Sequence, residues 1–81
     1  MFKRIKKAED DPTLEQAQKF VKGWVERLVL STGVLLVDEE ARMKQGMKRN
    51  KAASFLANKD GYPDILGPAI FIPFEINSEW Y

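Results

Sequence analysis

The arrangement of hydrophobic and polar residues in the first half of the chain predicts a β-hairpin. Both faces of the segment 24–30 carry hydrophobic side chains, and each face is interrupted by a single charged residue. A Ser-Thr-Gly turn at 31–33 follows, and glycine readily adopts the positive φ of a tight turn. The next segment, 34–37, is hydrophobic throughout. We therefore expect two paired strands over residues 24–37.

A strand that is apolar at every position has no face suited to water. The segment 34–37 is consequently expected either to be buried on both faces within the domain or to have one face covered by a second subunit. Further along, the segment 69–72 is strongly β-prone, and apolar and polar residues alternate after Pro73. This pattern predicts another strand, over residues 69–76.

Helical periodicity predicts two short helices, over residues 13–22 and 50–58. Each helix begins at a residue type that caps helices. For the first helix the cap is either Asp11, followed by a proline, or Thr13. For the second helix it is Asn50.

These elements predict an α+β fold. A small three-stranded, mainly antiparallel sheet, made of the hairpin 24–37 and the strand 69–76, packs with the two helices. Residues 1–12 are rich in charge and are expected to form an N-terminal arm, and residues 13–81 a single α+β domain. The segment 39–49 is open between a frayed helix and a long loop.

Composition narrows the range of functions. A chain of 81 residues builds one domain and buries only roughly 60 % of its unfolded surface, so self-association into a homo-oligomer is an open alternative. The chain contains no cysteine and no histidine. Disulfides, thiolate metal sites and the commonest general base are thereby excluded. No catalytic residues, metal site or cofactor are expected, and the protein is not expected to be an enzyme.

The acidic residues at 38–40 are carboxylates of the kind that bind magnesium or calcium. Consecutive residues at the end of a strand point in different directions, and we favour a solvated turn.

The formal net charge is +1, but positive charge concentrates in the middle of the chain. Together with the helix-capping asparagine, these positions form the candidate partner- or anion-binding site: Arg42, Lys44, Lys48, Arg49, Asn50 and Lys51. The basic residues suit phosphate contact in a nucleic acid or simply keep the surface soluble. The start of the helix at Asn50 suits a nucleotide-like anion or is an ordinary cap.

Three aromatic residues are candidates for contact with a partner: Trp24, Trp80 and Tyr81. A small protein has little reason to expose large aromatic side chains. Trp80 and Tyr81 are therefore expected either to pack back on the hairpin or to contact another molecule.

Four short motifs carry a resemblance to a known family: Val21-Lys22-Gly23-Trp24-Val25-Glu26, Val34-Leu35-Leu36-Val37-Asp38-Glu39-Glu40, Asn50-Lys51-Ala52-Ala53 and Leu66-Gly67-Pro68-Ala69-Ile70-Phe71-Ile72. In these the chain resembles the domain-of-unknown-function family thirty-eight forty-six of bacteriophages and mobile elements. It departs from that pattern at Lys22, Ala41 and Pro68. The resemblance implies a phage-like origin and a non-catalytic accessory role.

Elimination and resemblance together lead to one main expectation. The chain is expected to be a small non-catalytic phage-type accessory protein that binds and modulates a host macromolecule by protein–protein contact. The alternatives are an oligomeric protein that sequesters a nucleotide-like anion and a weak nucleic-acid-binding protein. There is no apolar run of about 18 residues, so no membrane segment is expected. The expected location is the cytoplasm, which is that of the host if a phage encodes the protein.

Overall fold

The computed structural model describes residues 1–81 and contains two α-helices on opposite faces of a four-stranded sheet. In chain order the α-helices and strands are Phe2–Arg4 (β1), Leu14–Val21 (α1), Val25–Val29 (β2), Gly33–Asp38 (β3), Lys51–Lys59 (α2) and Ala69–Pro73 (β4), with short 3-10 helices at Ala8–Asp10 and Ala41–Met43. The strand order across the sheet is β1-β4-β3-β2. The chain is thus an α+β domain, and its sheet is mixed, because β1 runs parallel to β4 while the other pairs are antiparallel.

The two central strands, β3 and β4, form the core of the domain. Every residue of both strands is buried. Leu35 and Val37 of β3 pack in a cluster with Ala53 and Ala57 of α2. The alternate residues of β3 pack in a second cluster with Ala17 of α1. The apolar segment 34–37 is therefore covered on both faces by the chain's own helices, the first of the two arrangements that the sequence allowed.

Both predicted helices are confirmed, with ends that differ from the prediction by one residue. Thr13 rather than Asp11 caps α1, because its side-chain oxygen accepts from the Gln16 backbone N–H at 3.1 Å while Gln16 bonds back to the Thr13 N–H. The Asn50 side chain caps α2 by accepting from the Ala53 N–H. Neither helix is long and apolar enough to cross a membrane.

The sheet contains one strand more than the three that the sequence predicts. Residues 2–4 lie in the region expected to be an arm, and they pair with residues 69–71 of β4. Ile5 follows with only 1 % of its surface exposed, and its N–H donates to the Phe71 carbonyl at 2.9 Å. The strand escapes prediction because it is short, is surrounded by charge, and pairs with a partner more than sixty residues away rather than through a local turn.

The last predicted strand, 69–76, is shorter in the structure. β4 ends at Pro73, and the Ile76 N–H donates to the Pro73 carbonyl at 3.1 Å, so the chain turns. Proline lacks the N–H that a continuing strand would need. The apolar–polar alternation after Pro73 therefore belongs to a turn that packs on the α1 face of the sheet, where Ile76 contacts the core.

Gly33 has a role different from the one that its turn position suggests. Its φ is not positive. A Cβ atom at this position would lie 2.4 Å from the Ile72 carbonyl oxygen and 2.8 Å from the Pro73 Cα. Glycine is therefore required here because the backbones of β3 and β4 come close together.

We expect Gly33→Ala to lower the free energy of unfolding by about 1–3 kcal/mol, because the two central strands must separate to accommodate the methyl group. Urea denaturation measures the change. Thr32→Ala, one residue earlier and exposed, is the matched control and should change stability by less than about 0.5 kcal/mol. Equal effects of the two substitutions would contradict the steric explanation.

We expect Ile5→Ala to lower the free energy of unfolding by about 2–5 kcal/mol, since it removes a fully buried side chain from the core. If residues 1–12 formed an unattached arm, Ile5→Ala would leave the free energy of unfolding almost unchanged. Lys7→Ala, an exposed neighbour, serves as the control, and thermal or urea unfolding gives the comparison. A small loss for both variants would place residues 2–5 outside the folded domain.

Candidate functional site

Strand β2 forms one open edge of the sheet. The register of the hairpin and the hydrogen bonds at its two ends place Glu26 and Leu28 in hydrogen-bonded pairs with β3. In an antiparallel pair, the alternate residues direct their N–H and C=O groups away from the partner strand. Val25, Arg27 and Val29 consequently present backbone donors and acceptors at the outer edge of the sheet.

This edge lies between two exposed apolar side chains. Trp24 immediately precedes β2 and is 65 % exposed, and Val29 at the other end is 49 % exposed. The Tyr62 hydroxyl lies 3.4 Å from the Val29 carbonyl oxygen and shields that acceptor. The backbone groups of Val25 and Arg27 have no such cover. The open part of the edge therefore extends from Val25 to Arg27, next to an exposed tryptophan.

A cleft of about 270 Å³ lies beside β2, on the face of the sheet that α2 covers. Its apolar lining includes Leu28 and Val37 of the sheet together with Tyr62 and Ile65 of the loop after α2. The cleft is lined by twelve residues, six of them hydrophobic, and borders the open edge through β2 itself. A strand placed along β2 would therefore direct alternate side chains toward it.

The charged residues of the cleft are mainly acidic. Four acidic residues, Glu26, Asp38, Glu39 and Asp64, are among those that line it, against one basic residue, Arg42, and the Asp38 carboxylate itself is buried. Asp38 and Asp64 each form an ion pair with a basic residue, whereas Glu26 and Glu39 form none. The cleft thus presents two carboxylates that are free to meet a cation.

Lys44, a predicted site residue, bonds to the buried carboxylate of Asp38. Its ammonium group lies 2.5 Å from Asp38 Oδ2 and also donates to the Lys22 carbonyl at 2.9 Å. A Cβ atom on Gly23 would lie 2.7 Å from Asp38 Oδ1 and 2.9 Å from the Lys44 Nζ. Glycine at position 23 therefore makes room for this pair, which joins the end of α1 to the end of β3.

Two other predicted site residues, Arg42 and Arg49, both bind Asp64. Arg42 donates to the Asp64 carbonyl oxygen, and the Arg49 Nε donates to the carboxylate at 2.8 Å. The hydrogen bond from Arg49 holds the pKa of the Asp64 carboxyl below its ordinary value of 3.8, and the charge of Arg42 lowers it further. These bonds fix the loop that forms one side of the cleft.

The remaining members of the predicted set separate into two groups. Lys48 and Lys51 are exposed and form no ion pair. Asn50 is buried, and its side chain accepts from the Ala53 N–H while its amide nitrogen donates to the carbonyls of Met1 and Gly67. Of the six residues, only Lys48 and Lys51 have side chains without a hydrogen bond or ion pair in the domain, and the side-chain oxygen and nitrogen of Asn50 both bind within the domain.

The aromatic pair Trp80 and Tyr81 packs back on the domain. The Trp80 indole N–H donates to the Pro12 carbonyl at 2.7 Å, and the Trp80 carbonyl accepts from the Arg27 guanidinium at 2.8 Å. Tyr81 donates to the Pro73 carbonyl and meets the Phe74 ring edge-on at 5.1 Å. Burial raises the pKa of the Tyr81 phenol above its ordinary 10.0. Of the three predicted contact residues, Trp24 is the most exposed at 65 %, and Tyr81 is 45 % exposed despite its contacts.

Sequence reasoning did not identify the cleft. Glu26 is recognisable as the one polar residue among apolar neighbours on its face of the predicted strand. Glu39 belongs to a segment interpreted as a solvated turn, and Tyr62 to a turn-rich loop whose path periodicity does not define. The cleft exists only because this loop folds back beside β2.

We expect Arg49→Met to raise the pKa of Asp64 toward 3.8, since the hydrogen bond that favours the ionised form is lost. NMR titration of the side-chain carboxyl carbon measures it. Because the folded-state pKa is lowered, ionised Asp64 adds stability above its ordinary pKa, and that contribution is lost as pH falls through the folded-state value. Lys48→Met, a neighbour without an ion pair, should leave the titration unchanged. A pKa unaffected by Arg49→Met would contradict this bonding pattern.

Comparison with known proteins finds no relative of this chain. No protein-family model matches it, no curated protein matches it, and no solved structure matches it. The resemblance to a phage family stays a hypothesis carried by the short motifs that suggested it. What the chain does has therefore to be inferred from its own geometry.

Proposed function

We propose that this chain is a small non-catalytic protein whose role is to bind another protein, with the β2 edge as its contact surface. The observation that carries the proposal is the exposure of Trp24, 65 % of whose surface is free, at the start of an unpaired sheet edge. Tryptophan is among the residues that contribute most to protein interfaces, and unpaired edges readily accept another strand.

The closed core of the domain supports this proposal. Residues of β3 and β4 are buried by the chain's own helices, and no buried side-chain polar atom lacks a hydrogen-bond partner. Most of Trp24 and the outer backbone groups of Val25 and Arg27 lie outside this core, and those backbone groups have no hydrogen-bond partner in the domain. Groups that folding does not use and that cost solubility when exposed are typical of a recognition surface.

The resemblance to a phage family gives this binding a biological setting. In that setting the chain is an accessory protein that acts in the host cytoplasm and modulates a host protein by contact. The nucleotide and nucleic-acid alternatives draw less support from the geometry. Arg42, Lys44 and Arg49 bond to aspartate residues or backbone within the domain, and the Asn50 side chain bonds to three backbone groups.

Site-specific photo-cross-linking tests the proposal. With benzoylphenylalanine in place of Trp24, irradiation in a bacterial host lysate should give a discrete adduct that excess unlabelled chain suppresses. Excess Trp24→Ser chain should suppress it much less, because serine lacks the large aromatic side chain that both tryptophan and benzoylphenylalanine place at the interface. The matched control carries the cross-linker in place of Phe55, an aromatic residue on α2 that is 62 % exposed and distant in sequence.

An adduct from position 24 and none from position 55 is the expected result. The absence of a competable adduct at position 24, or equal adducts at both positions, would contradict binding through the β2 edge.

A further inference from the structure

We infer that β2 receives an extended, basic segment of the partner protein as an added antiparallel strand, with a lysine or arginine of that segment in the acidic cleft. The inference rests on the proposed function and specifies the chemistry of the partner. It combines three features of one surface: open backbone groups, a sequence that disfavours antiparallel pairing of the edge with its own copy, and two carboxylates without an ion pair.

The backbone of β2 supplies the attachment points. Val25 and Arg27 each direct one N–H and one C=O outward, so an added strand gains up to four main-chain hydrogen bonds. The other edge of the sheet is less suitable. β1 has three residues against five in β2, and it carries Lys3 and Arg4, which would repel a basic segment.

A second copy of the chain does not fit this edge. The residues of β2 that can bond to an added strand are Val25, Arg27 and Val29. If a second copy pairs antiparallel through the same three residues, three registers place at least two of them opposite one another. The first register places Glu26 opposite Glu26, and the second places Arg27 opposite Arg27, so that like charges oppose each other. The third requires the Val29 carbonyl of both copies, which the Tyr62 hydroxyl shields. Antiparallel pairing of β2 with a second copy is thus disfavoured in all three registers, whereas a strand of different sequence avoids these like-charge contacts.

The charge of the cleft selects a cation. Glu26 is the second residue of β2, between Val25 and Arg27, and lines the cleft, so a residue opposite it in an added strand has its Cβ about 4.5–5.5 Å away and on the same face. Glu39 lines the same cleft and also lacks an ion pair. A lysine or arginine at the opposing position meets the carboxylate of Glu26 in a cleft that Glu39 also lines, whereas a glutamate there meets a like charge.

The size and lining of the cleft suit one long side chain. At about 270 Å³ it is slightly below the usual range of small-molecule pockets, about 300–1,000 Å³. Leu28, Val37 and Tyr62 provide apolar surface for the methylene groups of lysine or arginine, which bury their stems and keep the charge at the rim. This division between an apolar interior and acidic carboxylates matches a basic side chain better than an aliphatic one.

Titration with three synthetic peptides tests the inference on the ¹⁵N-labelled full chain. The probe is acetyl-Thr-Val-Thr-Lys-Thr-Val-Thr-amide. A second peptide has glutamate in place of lysine, and a third has N-methyl groups on the two residues that flank the lysine. At about 1 mM peptide, a concentration that detects a Kd of that order, the lysine peptide should shift the Val25 and Arg27 amide signals and slow their exchange.

The two control peptides separate the contributions of charge and backbone. The glutamate peptide should bind at least about tenfold more weakly, and the N-methylated peptide should not bind, since its methyl groups replace the donors that face β2. Glu26→Lys, a substitution at an exposed position that leaves the β2–β3 hydrogen bonds in place, should reverse the preference and favour the glutamate peptide.

Three results would overturn the inference. These are no shift at Val25 and Arg27 with the lysine peptide, equal binding of the lysine and glutamate peptides, and binding that survives N-methylation. Protection of the β2 amides without peptide, in a chain with the mass of a dimer, would assign the edge to a second copy instead.

The peptide result and the cross-linking result distinguish failure of the inference from failure of the proposed function. If the cross-linker at position 24 captures a competable protein and the peptides do not bind β2, the proposal of protein binding is retained and the inference of strand addition is rejected. If neither experiment succeeds, both proposals fall.

Discussion

The burial of β3 and β4 on both faces is the constraint that determines the rest of this small domain. Two adjacent strands without a polar side need a helix on each face, and the chain provides exactly two, of eight and nine residues. Each helix packs at the middle of the sheet, where α1 covers one cluster and α2 the other. Nothing of comparable length is left to cover the outer edge of β2. The outer edge of β2 is thus left uncovered because both helices pack on the centre of the sheet.

Most of the polar residues in the middle of the chain hold loops in place around this core. Asn50 is the clearest case, since its side chain connects the start of α2 to the Met1 and Gly67 carbonyls and thereby attaches β1 to the rest of the fold. Arg49 and Lys44 act similarly on the loop after α2 and on the end of β3. Several basic residues of the candidate partner- or anion-binding site therefore bind acidic or backbone groups of their own domain.

The parts of the fold that sequence reasoning predicted are those encoded by local patterns. The two helices, the hairpin and the position of β4 follow from periodicity and capping residues such as Thr13 and Asn50. β1 follows from no local pattern, because its hydrogen bonds go to residues far along the chain. The sequence suggested that Gly33 provides a positive φ in the turn. In the structure glycine is needed there because the backbone of β4 lies too close for a Cβ atom.

The candidate site divides in the same way between local and long-range information. Trp24 was named from the sequence as a candidate for contact with a partner. The cleft depends on where the loop at 62–66 returns to the sheet, and no periodicity encodes that path.

The parallel pairing of β1 with β4 has a consequence for synthesis on the ribosome. Residues 2–4 are synthesised before their partners at 69–71, which follow more than sixty residues later. Until then Phe2 and Ile5 have no strand beside which to lie, and the nascent chain carries two apolar side chains among lysines and arginines. Contacts of such sequence separation close late and slow the search for the native topology. The charges around β1 keep residues 2–5 soluble until β4, the strand with which they pair, has been synthesised.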